Sequence, residues 1–296
     1  MGYEMEGNTN TDKVISIRKE TQEKGIRINK YLSDVGICSR RQADQFILDG
    51  KVMIDSHRAQ MGERVFSEQK IICCGKEVIK SQESKVLLAF NKPKGIVCTT
   101  SSREKNNIID YIGYEKRIFP IGRLDKDSEG LILLTNEGML SDQILRGSHY
   151  HEKEYVVTLN KDITDVDLQK MREGIPILDT VTRPCEVYRL KSNVFRMILT
   201  QGLNRQIRRM CEYLGYRVVY LKRIRIMNIM LDNIPKGKYR EVTKEELQEL
   251  KNMLTVNGKQ EKKQAKNRQS KDRKQNKETI KNEKKQKKGR IWIIEK

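Results

Sequence analysis

The segment IGRLDKDSEGLILLT, Ile121 to Thr135, constrains this chain more than any other. Its second half, Leu131 to Thr135, is an apolar run with the length of a buried strand. Its first half is a charged loop carrying Gly122, Arg123, Leu124, Asp125 and Asp127. A carboxylate set between a glycine and a core strand is held by a rigid element while its head stays open to a ligand, a position that suits a nucleophile. Asp125 and Asp127 together would also suit a glycosidase pair or a metal. Alternate residues of an extended segment point to opposite faces, however, so only one of the two is expected to face a site. Glu129 is expected to face solvent.

The chain before this segment reads as two pieces. Residues 1–25 are polar and lack a sustained period, as a flexible arm would. From 26 to 79 the pattern is that of a small module. Ile28, Tyr31, Leu32 and Val35 share a helical face ended by Gly36, and Ser39 with Gln42 forms a capping box opening a second helix. Ala43, Phe46 and Ile47 face inward there. Val52 and Ile54 then alternate, and Val65, Ile71, Ile72 and Val78 continue as short strands. Lys30, Arg40 and Arg41 are basic, the last two at a helix N-terminus where backbone N–H groups favour phosphate. An ordinary solvated face is the competing reading, and charge alone leaves the two even.

A second domain is expected over 86–254. LLAFNKPKGIVCTT reads as strand, turn, strand, and Ile108 to Ile112 as a short helix. Asn136 is placed to cap a helix running to Leu145 and ended by Gly147; Thr164 with Asp167 opens another, stopped by Gly174. Glu154 to Leu159, Cys185 to Leu190 and Phe195 to Thr200 are strands. Leu203, Ile207, Met210, Cys211 and Leu214 lie on one stripe, a helix that Asn204 would start. Val218 to Leu231 is strand-like with basic interruptions at Lys222, Arg223 and Arg225, and Thr243 with Glu246 boxes a last helix to Leu254. Helices and strands mix without regular alternation, so the fold class is α+β with a mainly antiparallel, mixed sheet.

Charge points to the partner. The net formal charge is +20 over 296 residues with a pI near 9.6, which favours a polyanion. Residues 257–296 read as a basic disordered tail that binds polyanions without sequence preference; 257–290 hold 15 Lys and Arg against 4 Asp and Glu, with almost nothing apolar. No run of about 18 apolar residues occurs and no leader pattern opens the chain, so a cytoplasmic protein without a membrane span is expected. Six cysteines without a CxxC pair read as reduced, mostly buried thiols. His149 and His151 have a metal-like spacing, but with three histidines in the chain and no ligand set around them they read as loop residues.

Two resemblances sharpen this reading. RINKYLSDVGICSRRQADQFILDGKVMIDSHRA resembles the small RNA-binding domain named after ribosomal protein S4, over Ile26 to Ile72. FPIGRLDKDSEGLILLTN, the KEY segment at Lys153 to Tyr155 and GLNRQIRRMCE resemble three motifs of the pseudouridine synthases. They are most similar to the RsuA-type branch and, within it, to RluF-type members acting on large-subunit ribosomal RNA. The resemblance implies that a uridine in RNA has its base detached, rotated and rejoined through carbon five, with no metal or organic cofactor. It implies Asp125 as nucleophile, Tyr155 as the active-site tyrosine and Arg208 as the basic partner of Asp125. Gly122, Arg123, Leu124, Arg205, Gln206 and Ile207 are expected to contact RNA. Arg123 would fill the space vacated by an everted nucleotide or grip its phosphate.

These residue types fit such roles. A nucleophilic carboxylate must be ionised, and a nearby guanidinium lowers its pKa where burial alone would raise it. A tyrosine offers a face to stack under uracil and a hydroxyl near the site of proton loss. A lone GRLD is most often a surface ion pair and an RQIRR helix most often a solvated basic face; the order of three motifs behind a small basic module argues against both. Ribosomal RNA, a large-subunit hairpin above all, is the expected substrate of a monomeric enzyme, with a transfer RNA anticodon loop also open. The competing class is an RNA chaperone or ribosome assembly factor.

Overall fold

A computed structural model of the chain describes residues 25–79, 84–145 and 150–255. The expected arm, save Gly25, the basic tail, Gly147 and His149 lie outside these residues. The described residues form two compact units, one built on those from Gly25 up to Val86 together with Glu115–Ile118 and Asn136–Gly138, the other on the remaining described residues.

In the first unit, helices α1 (Ile28–Asp34) and α2 (Arg40–Leu48) pack over short antiparallel strands. The capping box forms as expected: the Ser39 hydroxyl accepts from the Gln42 N–H at 3.2 Å and the Gln42 side chain accepts from the Ser39 N–H at 2.9 Å. Ile28, Leu32, Ala43, Ile47, Val52 and Ile54 are buried together, so two apolar helix stripes and one strand face make the core. Arg40 and Arg41 are exposed in the first turn of α2, and Lys30 pairs with Asp34 at 3.7 Å.

The second unit is organised on a nine-stranded sheet. Its strands are β1 (Leu87–Lys92), β2 (Phe119–Ile121), β3 (Glu129–Thr135), β4 (Lys153–Leu159), β5 (Glu186–Lys191), β6 (Val194–Leu199), β7 (Val218–Ile226), β8 (Ile229–Met230) and β9 (Tyr239–Glu241). The order is β5-β6-β4-β7-β3-β1-β9, with β2 on β3 and β8 on β7. All these pairings are antiparallel except β7 with β3. Every residue of β3 is buried, as its apolar run requires. Helices α3 (Ile108–Ile112), α4 (Gly138–Leu145), α5 (Asp165–Glu173) and α6 (Gln206–Tyr213) complete the unit with a helical stretch at 244–255. The fold is α+β. No helix among the described residues is long and apolar enough to cross a membrane.

Several local expectations change. The segment after Gly95 forms no strand; Val97 makes only a single bridge to Asn107, because its N–H and carbonyl are taken by the loop at 106–108. Asn136 does not cap α4, since its side-chain oxygen accepts the Val86 N–H at 2.9 Å. Glu129 is buried rather than solvated. It accepts from the Tyr220 hydroxyl at 3.0 Å and pairs with Lys236 at 3.0 Å. Burial alone would raise its pKa, but these partners hold it below the usual carboxylate range. Cys38, Cys73, Cys98 and Cys211 are buried free thiols, Cys185 is half-buried and Cys74 is exposed.

Candidate active site

The loop between β2 and β3 turns tightly, with the Ser128 N–H donating to the Asp125 carbonyl at 3.1 Å. Lys92, fully buried at the end of β1, braces this loop from beneath. Its ammonium donates to the carbonyls of Pro93 and Ile96 at 2.9 Å each and reaches that of Lys126 at 3.5 Å. Desolvation pulls the Lys92 pKa down, so its hydrogen bonds to carbonyl dipoles are what make the buried charge tolerable.

Opposite the loop stands the start of α6. Asn204 does not cap this helix. Gln206 reaches back to accept the Leu203 N–H at 3.1 Å, while Arg209 holds the Asn204 carbonyl. The capping position falls to Arg205, in the left-handed region at φ +48° with no capping side chain. A non-glycine residue is strained there, and such strain collects at functional sites. The strained backbone presents the Arg205 guanidinium to both carboxylates of the loop, 3.5 Å from Asp125 and 3.4 Å from Asp127.

Arg208, one turn on, is buried. It donates to the Ser128 hydroxyl at 3.2 Å and to the carbonyls of Asp127 and Val218 at 3.3 Å each. Its contact with Asp127 is 3.3 Å, and its Nε lies 4.0 Å from Asp125 without a hydrogen-bond partner. The expected opposition of the two aspartates therefore does not hold: the turn brings both to one pair of guanidiniums. Burial works against ionisation of Asp127, but the Arg205 hydrogen bond and the charges of Arg208 and Arg205 keep its pKa below the ordinary value. Asp125 is set apart by the cavity, which it lines and Asp127 does not.

That cavity measures about 730 Å³, within the range of small-molecule sites and ample for a nucleobase. Gly122, Arg123, Leu124, Asp125, Tyr155, Arg205, Gln206, Ile207 and Arg208 all line it. The basic residues of the first unit, Lys30, Arg40 and Arg41, do not. Gly122 adopts φ +76°, which a glycine accommodates without strain. Tyr155, on β4 opposite Met197 and Arg223, has its ring centroid 6.0 Å from the Arg223 guanidinium. Among the described residues no group of three or more His, Cys, Asp and Glu is placed to hold a metal; His151 is buried, with Nδ1 2.8 Å from the Ile144 carbonyl oxygen.

Cys98, Lys153 and Arg223 also line the cavity and are not among the site residues expected from the sequence. Cys98 donates to the Leu124 carbonyl at 3.2 Å, and burial pushes its thiol up, so it is a packing group. Lys153 opens the KEY segment, and Arg223 is one of the basic interruptions in an otherwise apolar strand; that interruption was the available signal. Burial, helped by the charge of Arg223, brings the Lys153 pKa down to about 8. An unfolded lysine titrates near 10.4, so between about 8 and that value the unfolded chain binds more protons. The contribution of Lys153 to stability should therefore rise with pH across this window, against the fall contributed by the buried thiols, whose pKa values burial raises. Denaturant midpoints measured from pH 7.5 to 10.5 should show the stability of the native protein shifting upward relative to Lys153→Met as pH rises; a difference that stays constant with pH would contradict it.

The comparisons with known proteins meet this geometry. Residues 86–213 match the RNA pseudouridylate synthase family and residues 26–65 match the S4 domain. The chain belongs to the RNA pseudouridylate synthase family, enzymes that isomerise uridine within RNA. More particularly, it is 53% identical over 226 residues to the dual-specificity RNA pseudouridine synthase RluF of Salmonella typhi, covering 76% of this chain and 78% of that one. An uncharacterized RNA pseudouridine synthase of Aquifex aeolicus is 34% identical over 238 residues, 78% of this chain and 99% of the relative. A crystal structure of a pseudouridylate synthase superposes with a TM-score of 0.57 at 28% identity, covering 76% of this chain and 99% of that one.

Proposed function

We propose that this enzyme converts a uridine of ribosomal RNA, in a large-subunit hairpin, to pseudouridine, with Asp125 as its nucleophile and a transfer RNA loop as a second substrate. The observation that carries this reading is the Asp125 carboxylate lining a nucleobase-sized cavity that Tyr155 also lines, with Arg205 at 3.5 Å and Arg208 at 4.0 Å from it. The dual specificity in the name of its relatives supports two substrate classes.

The residues divide the work as follows. The uridine leaves its stack at a cost of a few kcal/mol, and the exposed Arg123 at the cavity edge fills the gap or grips the displaced backbone. Tyr155 stacks on the everted uracil. Asp125 acts at the sugar, by attack at the anomeric carbon or by assisting elimination to a glycal, as the N1–C1′ bond breaks. After rotation the C5–C1′ bond forms, the proton leaves C5, and N1 regains one, so the reaction is balanced without a co-reactant. Arg205 and Arg208 hold the carboxylate throughout, and Arg205 with Gln206 steadies the RNA backbone. Lys30, Arg40, Arg41 and the basic tail supply affinity for a folded RNA read through its loops and shape. The chain acts as a monomer in the cytoplasm, where ribosomal RNA is found.

The test is a map of pseudouridines in ribosomal and transfer RNA from cells with and without the gene. One large-subunit site and one transfer RNA site should disappear in its absence. Identical maps would overturn the substrate assignment.

A further inference from the structure

Lys153 and Arg223 line the cavity and have no part in the chemistry above. Arg223 is 4% exposed in the middle of β7. Its Nε donates to the Leu131 carbonyl at 2.7 Å, but its buried Nη2 has no hydrogen-bond partner. Leaving a buried donor of a charged group unsatisfied costs more than leaving a neutral one so. Lys153 lines the same cavity, and its ammonium donates to the His151 carbonyl at 3.1 Å. Among the described residues neither cation forms an ion pair, whereas Arg205 and Arg208 are matched by Asp125 and Asp127. The two unmatched charges also repel each other, as the effect of Arg223 on Lys153 shows.

We propose that Lys153 and Arg223 form an anion subsite that takes an RNA phosphate next to the everted nucleotide. A neutral uracil oxygen could satisfy the Arg223 Nη2 donor but would leave both charges uncompensated. A phosphate oxygen accepts from the guanidinium and the ammonium together and relieves their repulsion, and charge-assisted bonds of this kind are the strong ones. The ring of Tyr155, 6.0 Å from the Arg223 guanidinium, keeps that phosphate within one nucleotide of the stacked base. This rests on the proposed function only in naming the anion as RNA; the binding test below needs no turnover.

The full-length protein is titrated with uridine, uridine 3′-monophosphate and uridine 5′-monophosphate by NMR or calorimetry. One monophosphate should bind at least about 10-fold more tightly than uridine, and Lys153→Gln and Arg223→Gln should each reduce that preference to about 2-fold. Lys153→Arg should retain it. Equal binding of nucleoside and nucleotides would overturn the subsite. So would a preference that survives in both glutamine variants, which would put the phosphate on Arg123 or Arg205 instead. Lys153→Gln leaves every backbone hydrogen bond of the sheet in place, so it decides the matter if Arg223→Gln fails to fold. A phosphate preference in a protein that forms no pseudouridine would leave the subsite standing and remove the catalytic reading.

Discussion

Asp125→Asn is expected to lower the rate of pseudouridine formation by about 10⁴-fold or more, the scale seen when a nucleophile is removed from an assembled site. RNA affinity should change by no more than about 3-fold, because the substitution keeps the side chain's size and takes a negative charge away from a polyanion's path. Asp127→Asn provides the contrast. Asp127 contacts Arg205 and Arg208 as Asp125 does but stands outside the cavity lining, so its loss should loosen the arginines and cost about 10-fold. Single-turnover conversion of a ribosomal RNA fragment, with binding measured in parallel, separates the two. Equal losses in both variants would remove the distinction drawn between these carboxylates.

Gly130→Ala should be the most destabilising single-methyl change in the catalytic unit. Gly130 sits at φ +103° on β3, opposite Arg223 in the parallel pairing with β7. A Cβ there would overlap the Arg223 carbonyl oxygen and lie 2.8 Å from its amide nitrogen, both backbone atoms that no rotamer change can move aside. Overpacking and left-handed strain together cost about 3 kcal/mol or more, or roughly 6 to 12 °C in Tm for a unit of this size. Thermal unfolding by circular dichroism checks this; a Tm within about 1 °C of native would mean that β3 and β7 separate more freely than their register implies.

Where recognition was local, the sequence was readable. The boxes at Ser39 with Gln42 and Thr243 with Glu246, and the Thr164 cap of α5, need only residues three apart, and all form. Asn136 and Asn204 carry the same kind of signal and fail because better-placed partners claim them or their helix: the Val86 N–H in one case, the reach of Gln206 in the other. The nine site residues named from the motifs of the second domain all line one cavity. What stayed hidden depends on pairings far apart in the chain. The burial of Glu129 needs Tyr220 and Lys236, and the clash at Gly130 needs Arg223. The shared grip on Asp125 and Asp127 needs a turn that two-residue alternation does not describe.

The parallel seam between β3 and β7 also governs when the enzyme becomes competent. Gly130 and Arg223 are roughly ninety residues apart, and α6 with its arginines lies between them. Joining them closes a long stretch of chain, and non-local closures of this kind come late in folding. A nascent polypeptide on the ribosome already carries the aspartate loop and Tyr155 while β7 is still unmade, and so has no chamber to receive a base. Synthesis itself thus withholds activity until almost the whole catalytic unit has emerged.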